Sequence, residues 1–327
     1  MMSPGHFNTA PVLQDLSTGA RLLIGMAIGD AFGAGFENRS RYEIRLPDEI
    51  FIYKGSSRYT DDTQMAIGVA DLLVSAEPFT EEKLAESLLL AYKRDPRPGY
   101  SPVTTRMLQD SKTGSEFLLS LTREEIRERK SDGAAMRALP IGLIPDREEV
   151  IRCAMLSSRI THGHPDAIAA TVGIALICHE RYYSGKSFLE ILKDLPDQIS
   201  ALTPEGEEYL RRVIGSGWSP ETILREHASY GVPYTESLIL LGAVVAILAR
   251  YGEEPCQVLR ESVLLGGDTD TTAAIALGAA LISFTPGSRG EDLPAELITG
   301  LENGMYGRDY LIELGNLLSR RFPVRAP

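Results

Sequence analysis

Two short acidic segments, Thr60-Asp61-Asp62-Thr63 and Gly266-Gly267-Asp268-Thr269-Asp270-Thr271, read as two halves of one metal site. Each sets a pair of carboxylates among hydroxyls, immediately before an apolar run. Hard divalent cations such as Mg²⁺, Mn²⁺ and Ca²⁺ take oxygen ligands of this kind. Carboxylates held this close repel one another, and at least one pKa rises unless a cation compensates. Helix capping is the competing explanation: Ser, Thr and Asp are favoured N-caps, and acids in a first turn complement the helix dipole. Capping accounts for one acidic residue in each segment. It does not call for three oxygen-bearing residues in a row, nor for Gly266-Gly267, which lets backbone approach without a Cβ. The expectation is a binuclear site with Thr60, Asp61, Asp62, Asp268, Asp270 and Thr271 as ligands to two divalent cations, Mg²⁺ or Mn²⁺.

The elements that must position these groups are helices. Apolar periodicity with start signals marks a helix after Ser17-Thr18, one after Asp146 and one opened by Pro165-Asp166, with further helical stretches at 187–192, 220–227, 237–251, 255–265 and 271–283. Only Glu49-Ile50-Phe51-Ile52-Tyr53 alternates like a strand, and it reads equally as an extended loop. Gly25, Gly29, Gly33 and Gly35 would each weaken an isolated helix by about 1 kcal/mol, so they imply close helix packing or backbone close to a ligand. Stretches 93–102 and 129–133 are the candidate substrate loops. The fold expected is all-α: residues 1–16 a flexible N-terminal lead-in, and 17–327 one compact orthogonal multi-helix domain.

Composition narrows the function classes. The chain has 327 residues, 43% hydrophobic and 24% charged, with net charge -12. That balance suits a soluble globular protein, and the acidic excess argues against a nucleic-acid partner. The longest apolar run, 238–249, spans about twelve residues and is too short to cross a bilayer. The polar, Pro-containing start has no signal-peptide pattern. Cys153, Cys178 and Cys256 are isolated and fit buried thiols in a reducing compartment, the cytoplasm.

In order along the chain stand Gly25-Met26-Ala27-Ile28-Gly29-Asp30-Ala31-Phe32-Gly33 with Glu37, then Tyr59-Thr60-Asp61-Asp62-Thr63, then Gly133-Ala134-Ala135-Met136-Arg137. Thr161-His162-Gly163-His164-Pro165 and Gly267-Asp268-Thr269-Asp270-Thr271 complete the set. This ordered set resembles the ADP-ribosylglycohydrolase family, from about Leu22 to Ile282. The resemblance implies an all-helical fold, two Mg²⁺ or Mn²⁺ ions, and hydrolysis of an ADP-ribosyl bond at the anomeric carbon. It assigns catalysis to Glu37, beside the metals with an attacking water, and to Asp62. It implies that Gly133, Ala134, Ala135 and Met136 wrap a diphosphate, that His162 lies near the ribose, and that Gly99, Tyr100 and Ser101 flank the nucleotide. Asp30 would be structural, His164 a cap or surface residue, and Asp132 departs from the Asn often found there. The substrate so implied is ADP-ribosylated protein, most simply at arginine, with ADP-ribose as product. Other ADP-ribose conjugates (serine, a nucleic-acid base, O-acetyl-ADP-ribose), a two-metal phosphohydrolase and a non-catalytic binding protein are the alternatives. No phosphate-clamping Arg or Lys stands beside either acidic segment, which disfavours the phosphohydrolase.

Overall fold

Side-chain caps start helix after helix. In the computed structural model, which describes residues 12–46, 51–215, 217, 219, 222–223, 236–283 and 293–324, the Ser17 hydroxyl accepts from the Ala20 amide and opens α1, Thr18–Gly33. Thr80 opens α3 (Glu81–Arg94), Ser101 α4 (Pro102–Asp110), Thr113 α5 (Gly114–Leu118) and Thr122, in a capping box with Glu125, α6 (Arg123–Glu128). Asp146 opens α7 (Arg147–Arg159), His164 α8 (Pro165–Tyr183) and Ser187 α9 (Phe188–Ile199). Other described helices start without a side-chain cap bond, the two that follow the acidic segments among them. α2 (Asp61–Val74) and α13 (Thr269–Ala280) begin at Thr60 and Asp268, and neither N-cap side chain makes a capping hydrogen bond. These are the two acidic segments, so their oxygens are not consumed in capping. The remaining helices are α10 (Pro204–Gly215), α11 (Ser237–Tyr251), α12 (Pro255–Leu264), α14 (Ala295–Thr299) and α15 (Arg308–Arg321).

α1 is buried on nearly all sides and runs through the core, antiparallel to α13. Gly25, Gly29 and Gly33 form one stripe along it, and a Cβ on each would strike the Leu277, Ala273 and Thr269 carbonyls in turn. Gly19 meets Gly315 of α15 in the same way. The small residues therefore serve helix-to-helix contact. Antiparallel packing places the N-terminus of α13 beside the C-terminal end of α1, where α2 also begins.

No named strand occurs among the described residues; backbone bridges join Ser40 to Gly266 and Ser131 to Glu236. Of the alternating stretch 49–53, residues 49 and 50 lie outside the described residues. Phe51 and Tyr53 follow irregular backbone, their rings 5.9 and 6.3 Å from that of Phe32. Of the helix expected at 220–227, only 222 and 223 are described, both helical. The lead-in is described from residue 12, and Leu13 and Leu16 are buried. Stretch 93–102 is a shorter loop than expected, because Lys93 and Arg94 finish α3 and Pro102 starts α4. A satellite apolar cluster of Leu89, Tyr92, Leu108 and Phe117 ties α3 to α4 and α5. No helix among the described residues is long and apolar enough to cross a membrane.

Candidate active site

Asp30, fully buried near the end of α1, does the capping that Thr60 does not. Its Oδ1 accepts from the Thr60 amide at 2.8 Å, and its Oδ2 from the Thr63 amide at 3.0 Å and hydroxyl at 2.7 Å. A carboxylate from one helix thus fixes the first turn of another, and Asp61 and Asp62 are left to face the cleft. Thr271 of α13 donates to Asp62 Oδ1 at 2.9 Å, and Thr60 to Asp62 Oδ2 at 3.4 Å, so the two segments touch directly. Oxygens of Asp30, Asp62 and Asp270 lie within 4.8 Å of one another. Asp270 is 4% exposed, and its Oδ1 is buried with no hydrogen-bond partner.

Burial, then mutual repulsion, pushes Asp61, Asp62, Asp268 and Asp270 well above the usual carboxylate range. Burial also lifts Asp30 to about 6, although its bonds from Thr63 and Thr60 hold it down. Asp132 rises to about 7 for the same first reason. An oxygen-only donor set with an orphaned buried carboxylate oxygen fits a hard divalent cation. Two helix N-termini pointed at the cluster favour negative charge there.

Glu37 is exposed at the rim of this cleft, close enough for its charge to act on Asp270. A backbone clip holds its loop: the Asn38 amide donates to the Gly267 carbonyl at 2.9 Å, and the Gly267 amide to the Arg39 carbonyl at 2.9 Å. Gly266 takes φ +75°, and a Cβ there would collide with the Arg39–Arg41 backbone. The glycine pair thus lets the Glu37 loop close on α13, a backbone-to-backbone approach.

The opposite wall is built from the two loops that the sequence marks. Arg97 bonds Asp95 at 2.7 Å and Glu302 at 2.8 Å, and Gln64 of α2 donates to the Asp95 carbonyl at 2.5 Å, which pins residues 95–101 over α2. Gly99, at φ +108°, lies against the Asp61 carboxylate, where any Cβ would collide with it. Gly99 and Ser101 line the cleft. Tyr100 does not: its hydroxyl donates to Gln64 Oε1 at 2.8 Å and its ring packs edge-on against Tyr92. Stretch 129–133 is tied to α11 through the Ser237 amide and the Lys130 carbonyl, 3.0 Å apart. It presents Arg129, Ser131, Asp132 and Gly133 to the cleft; of the following residues Met136 and Arg137 line it, while Ala134 and Ala135 are buried behind.

His162 lines the same wall, buried among donors. Its Nε2 lies 3.3 Å from Arg129 and 3.0 Å from Ser131, and its Nδ1 2.8 Å from Thr161. A guanidinium only donates, so Nε2 accepts and Nδ1 carries the proton. Burial, with Arg129 and Arg137 nearby, holds the ring neutral, well below the usual histidine range. Arg137 is buried against the Gly133 carbonyl, Ser157 and Thr161, and burial lowers it to about 9. Neither Arg129 nor Arg137 has a carboxylate within ion-pair distance among the described residues. The sequence marks 129–133 as a substrate loop without singling out Arg129, and places Arg137 only within a motif, because neither arginine adjoins an acidic segment. The cleft is open at its mouth, and its empty volume, solvent at the mouth included, is about 910 Å³.

An all-helical chain with a carboxylate cluster at converging helix starts defines a class, and comparison with known proteins gives its family. The ADP-ribosylglycohydrolase family model matches residues 13–327. ADP-ribosylhydrolase ARH3 of Xenopus tropicalis is 26% identical over 336 residues, covering 91% of this chain and 95% of that protein. Human ADP-ribosylhydrolase ARH3 is 26% identical over 250 residues, 67% of this chain and 68% of that one. An uncharacterized protein of Archaeoglobus fulgidus is 27% identical over 311 residues, 90% and 94% of the two chains. A solved ADP-ribosylglycohydrolase-related protein complex shares the fold at a TM-score of 0.65 and 22% identity, covering 93% of this chain and 98% of that one. The chain belongs to the ADP-ribosylglycohydrolase family, and it is a hydrolase.

Proposed function

We propose that this protein is a metal-dependent hydrolase that cleaves the glycosidic bond between ADP-ribose and a protein side chain, arginine first among the acceptors. The observation that carries this reading is the division of one cleft into a carboxylate cluster and a wall with two arginines, Arg129 and Arg137, that have no ion-paired carboxylate among the described residues. A ligand with hydroxyls at one point and phosphates at another matches both. Thr60, Asp61, Asp62, Asp268, Asp270 and Thr271 would hold Mg²⁺ or Mn²⁺, with Asp30 beneath them as the anchor. A divalent cation bound there supplies Lewis-acid polarisation and a more acidic water.

The chain's own residues do the rest. Arg129, Ser131 and the Gly133 backbone receive the diphosphate. Neutral His162 holds Arg129 and Ser131 in register. Gly99 leaves the Asp61 carboxylate uncovered for the sugar side of the ligand. Glu37 takes a proton from the attacking water as its hydroxyl bonds the anomeric carbon, and passes that proton to the acceptor atom as the glycosidic bond breaks. A cationic acceptor such as arginine suits the exposed acidic rim at Glu37. A metal-assisted phosphohydrolase is disfavoured by the family membership.

The test is release of labelled ADP-ribose from arginine-linked and serine-linked peptides, with Mg²⁺ or with chelator. Release from the arginine-linked peptide, lost on chelation, is the expected result. Release from serine alone would overturn the acceptor assignment, and no release from any conjugate would overturn the activity.

A further inference from the structure

Asp132 lies outside both acidic segments, at the start of the short 3-10 turn Asp132–Arg137, yet it faces the cleft with Asp61, Asp62, Asp268 and Asp270. Its carboxyl sits within hydrogen-bonding reach of the Asp268 carboxyl. Its Oδ2 is buried without a hydrogen-bond partner, the same condition as Asp270 Oδ1. Two side chains that meet acid to acid need a proton or a cation between them.

The nearby guanidinium groups do not supply it. Arg129 is directed to Thr104 and His162, and Arg137 to Gly133, Ser157 and Thr161. Buried acceptor oxygens are rarely left unsatisfied, and hard cations collect several carboxylate oxygens at once. The turn holds Asp132 in place: the Ser131 carbonyl accepts from Ser237 at 2.6 Å, and Arg137 grips the Gly133 carbonyl at 2.9 Å. The position is therefore set by long-range contacts, with the carboxylate brought to the cluster from a third part of the chain.

We propose that Asp132 is a direct ligand to a divalent cation, sharing it with Asp268. The inference rests on the reading that this cleft holds divalent cations, and not on which bond the enzyme breaks. An acidic ligand here raises the charge offered to that ion and draws the 129–133 loop toward the metal when it binds.

The experiment titrates Mn²⁺ into metal-free protein, with no nucleotide present, and reads bound ion by calorimetry and by the electron paramagnetic resonance of free Mn²⁺. Asp132→Asn keeps the shape and removes the charge. The expected result is the loss of one bound ion, or at least about tenfold weaker binding of it, with the circular dichroism unchanged. Asp132→Ser gives the same readout should the amide disturb folding. Equal stoichiometry and affinity in parent and variant would overturn the proposal, and so would a parent that binds no Mn²⁺. If Asp132→Asn weakens Mn²⁺ while the parent releases no ADP-ribose from any conjugate, the ligand assignment stands and the proposed function alone falls.

Discussion

Glu37 and His162 mark the two kinds of residue this cleft contains, one open to solvent and one locked by its neighbours. Glu37 is exposed at the rim, where among the described residues its side chain accepts one bond, from the adjacent Asn38 at 3.1 Å. Proton transfer is a transition-state role, worth about 10²–10⁴-fold in rate. Glu37→Gln is expected to lower turnover by that order while ADP-ribose affinity, measured by calorimetry, stays within a few-fold. Near-normal turnover would remove Glu37 from the chemistry. His162 is neutral in the folded protein and free to protonate when unfolded. A folded pKa below the unfolded one gives stability that is full above the ordinary histidine range and is lost as pH falls below it. Melting temperature between about pH 7.5 and 5.5 should therefore fall more steeply in the parent than in His162→Gln, the carboxylates being common to both. Parallel curves would mean that folding leaves the proton affinity of His162 unchanged, against a ring held neutral by burial.

At the scale of elements, the site is the meeting of two helix starts at the end of a third helix. α1 contributes Asp30 and the glycine stripe, and α2 and α13 contribute the acids. A Cβ at Gly29 would enter the Ala273 backbone, and overpacking of this kind costs about 1–3 kcal/mol. Gly29→Ala is expected to lower the melting temperature and, by pushing α13 outward, to weaken metal binding as well. Retained metal affinity in a destabilised Gly29→Ala protein would separate the packing from the site. Neither helix start alone supplies enough oxygens for two octahedral ions. Asp62→Ala and Asp270→Ala should each abolish most metal affinity with the helical circular dichroism intact; unchanged two-ion binding in either one would break the joint site.

Across the whole molecule, a cation at the cluster acts as a ligand of the folded state only. Four aspartates of the cleft, raised by burial and by neighbouring carboxylates, are uncompensated without it, and an ion that binds only the native state stabilises by mass action. Chelation should depress the melting temperature, and Mg²⁺ or Mn²⁺ should restore it in proportion to concentration. Identical melting curves with and without chelator would exclude a cation from the folded cluster.

What the sequence determined by itself is what short-range chemistry governs. Ser17, Asp146 and Pro165 announce helices because capping and apolar periodicity act within one or two turns. The paired acids of 60–63 and 266–271 are legible for the same reason, being neighbours along the chain. A structural Asp30 beneath the site was implied by the family resemblance, not by capping or periodicity. Only the tertiary structure decided that the two clusters meet, because that depends on α1 lying antiparallel to α13 through Gly25, Gly29 and Gly33. It also turned Tyr100 toward Gln64 and brought Arg129, Arg137 and Asp132 into the cleft. Those placements are set by contacts such as Arg97 to Glu302 and Ser237 to Lys130, whose partners lie far apart in sequence. Side-chain direction in a loop is fixed by what the loop is pinned to, and no spacing rule encodes the pin.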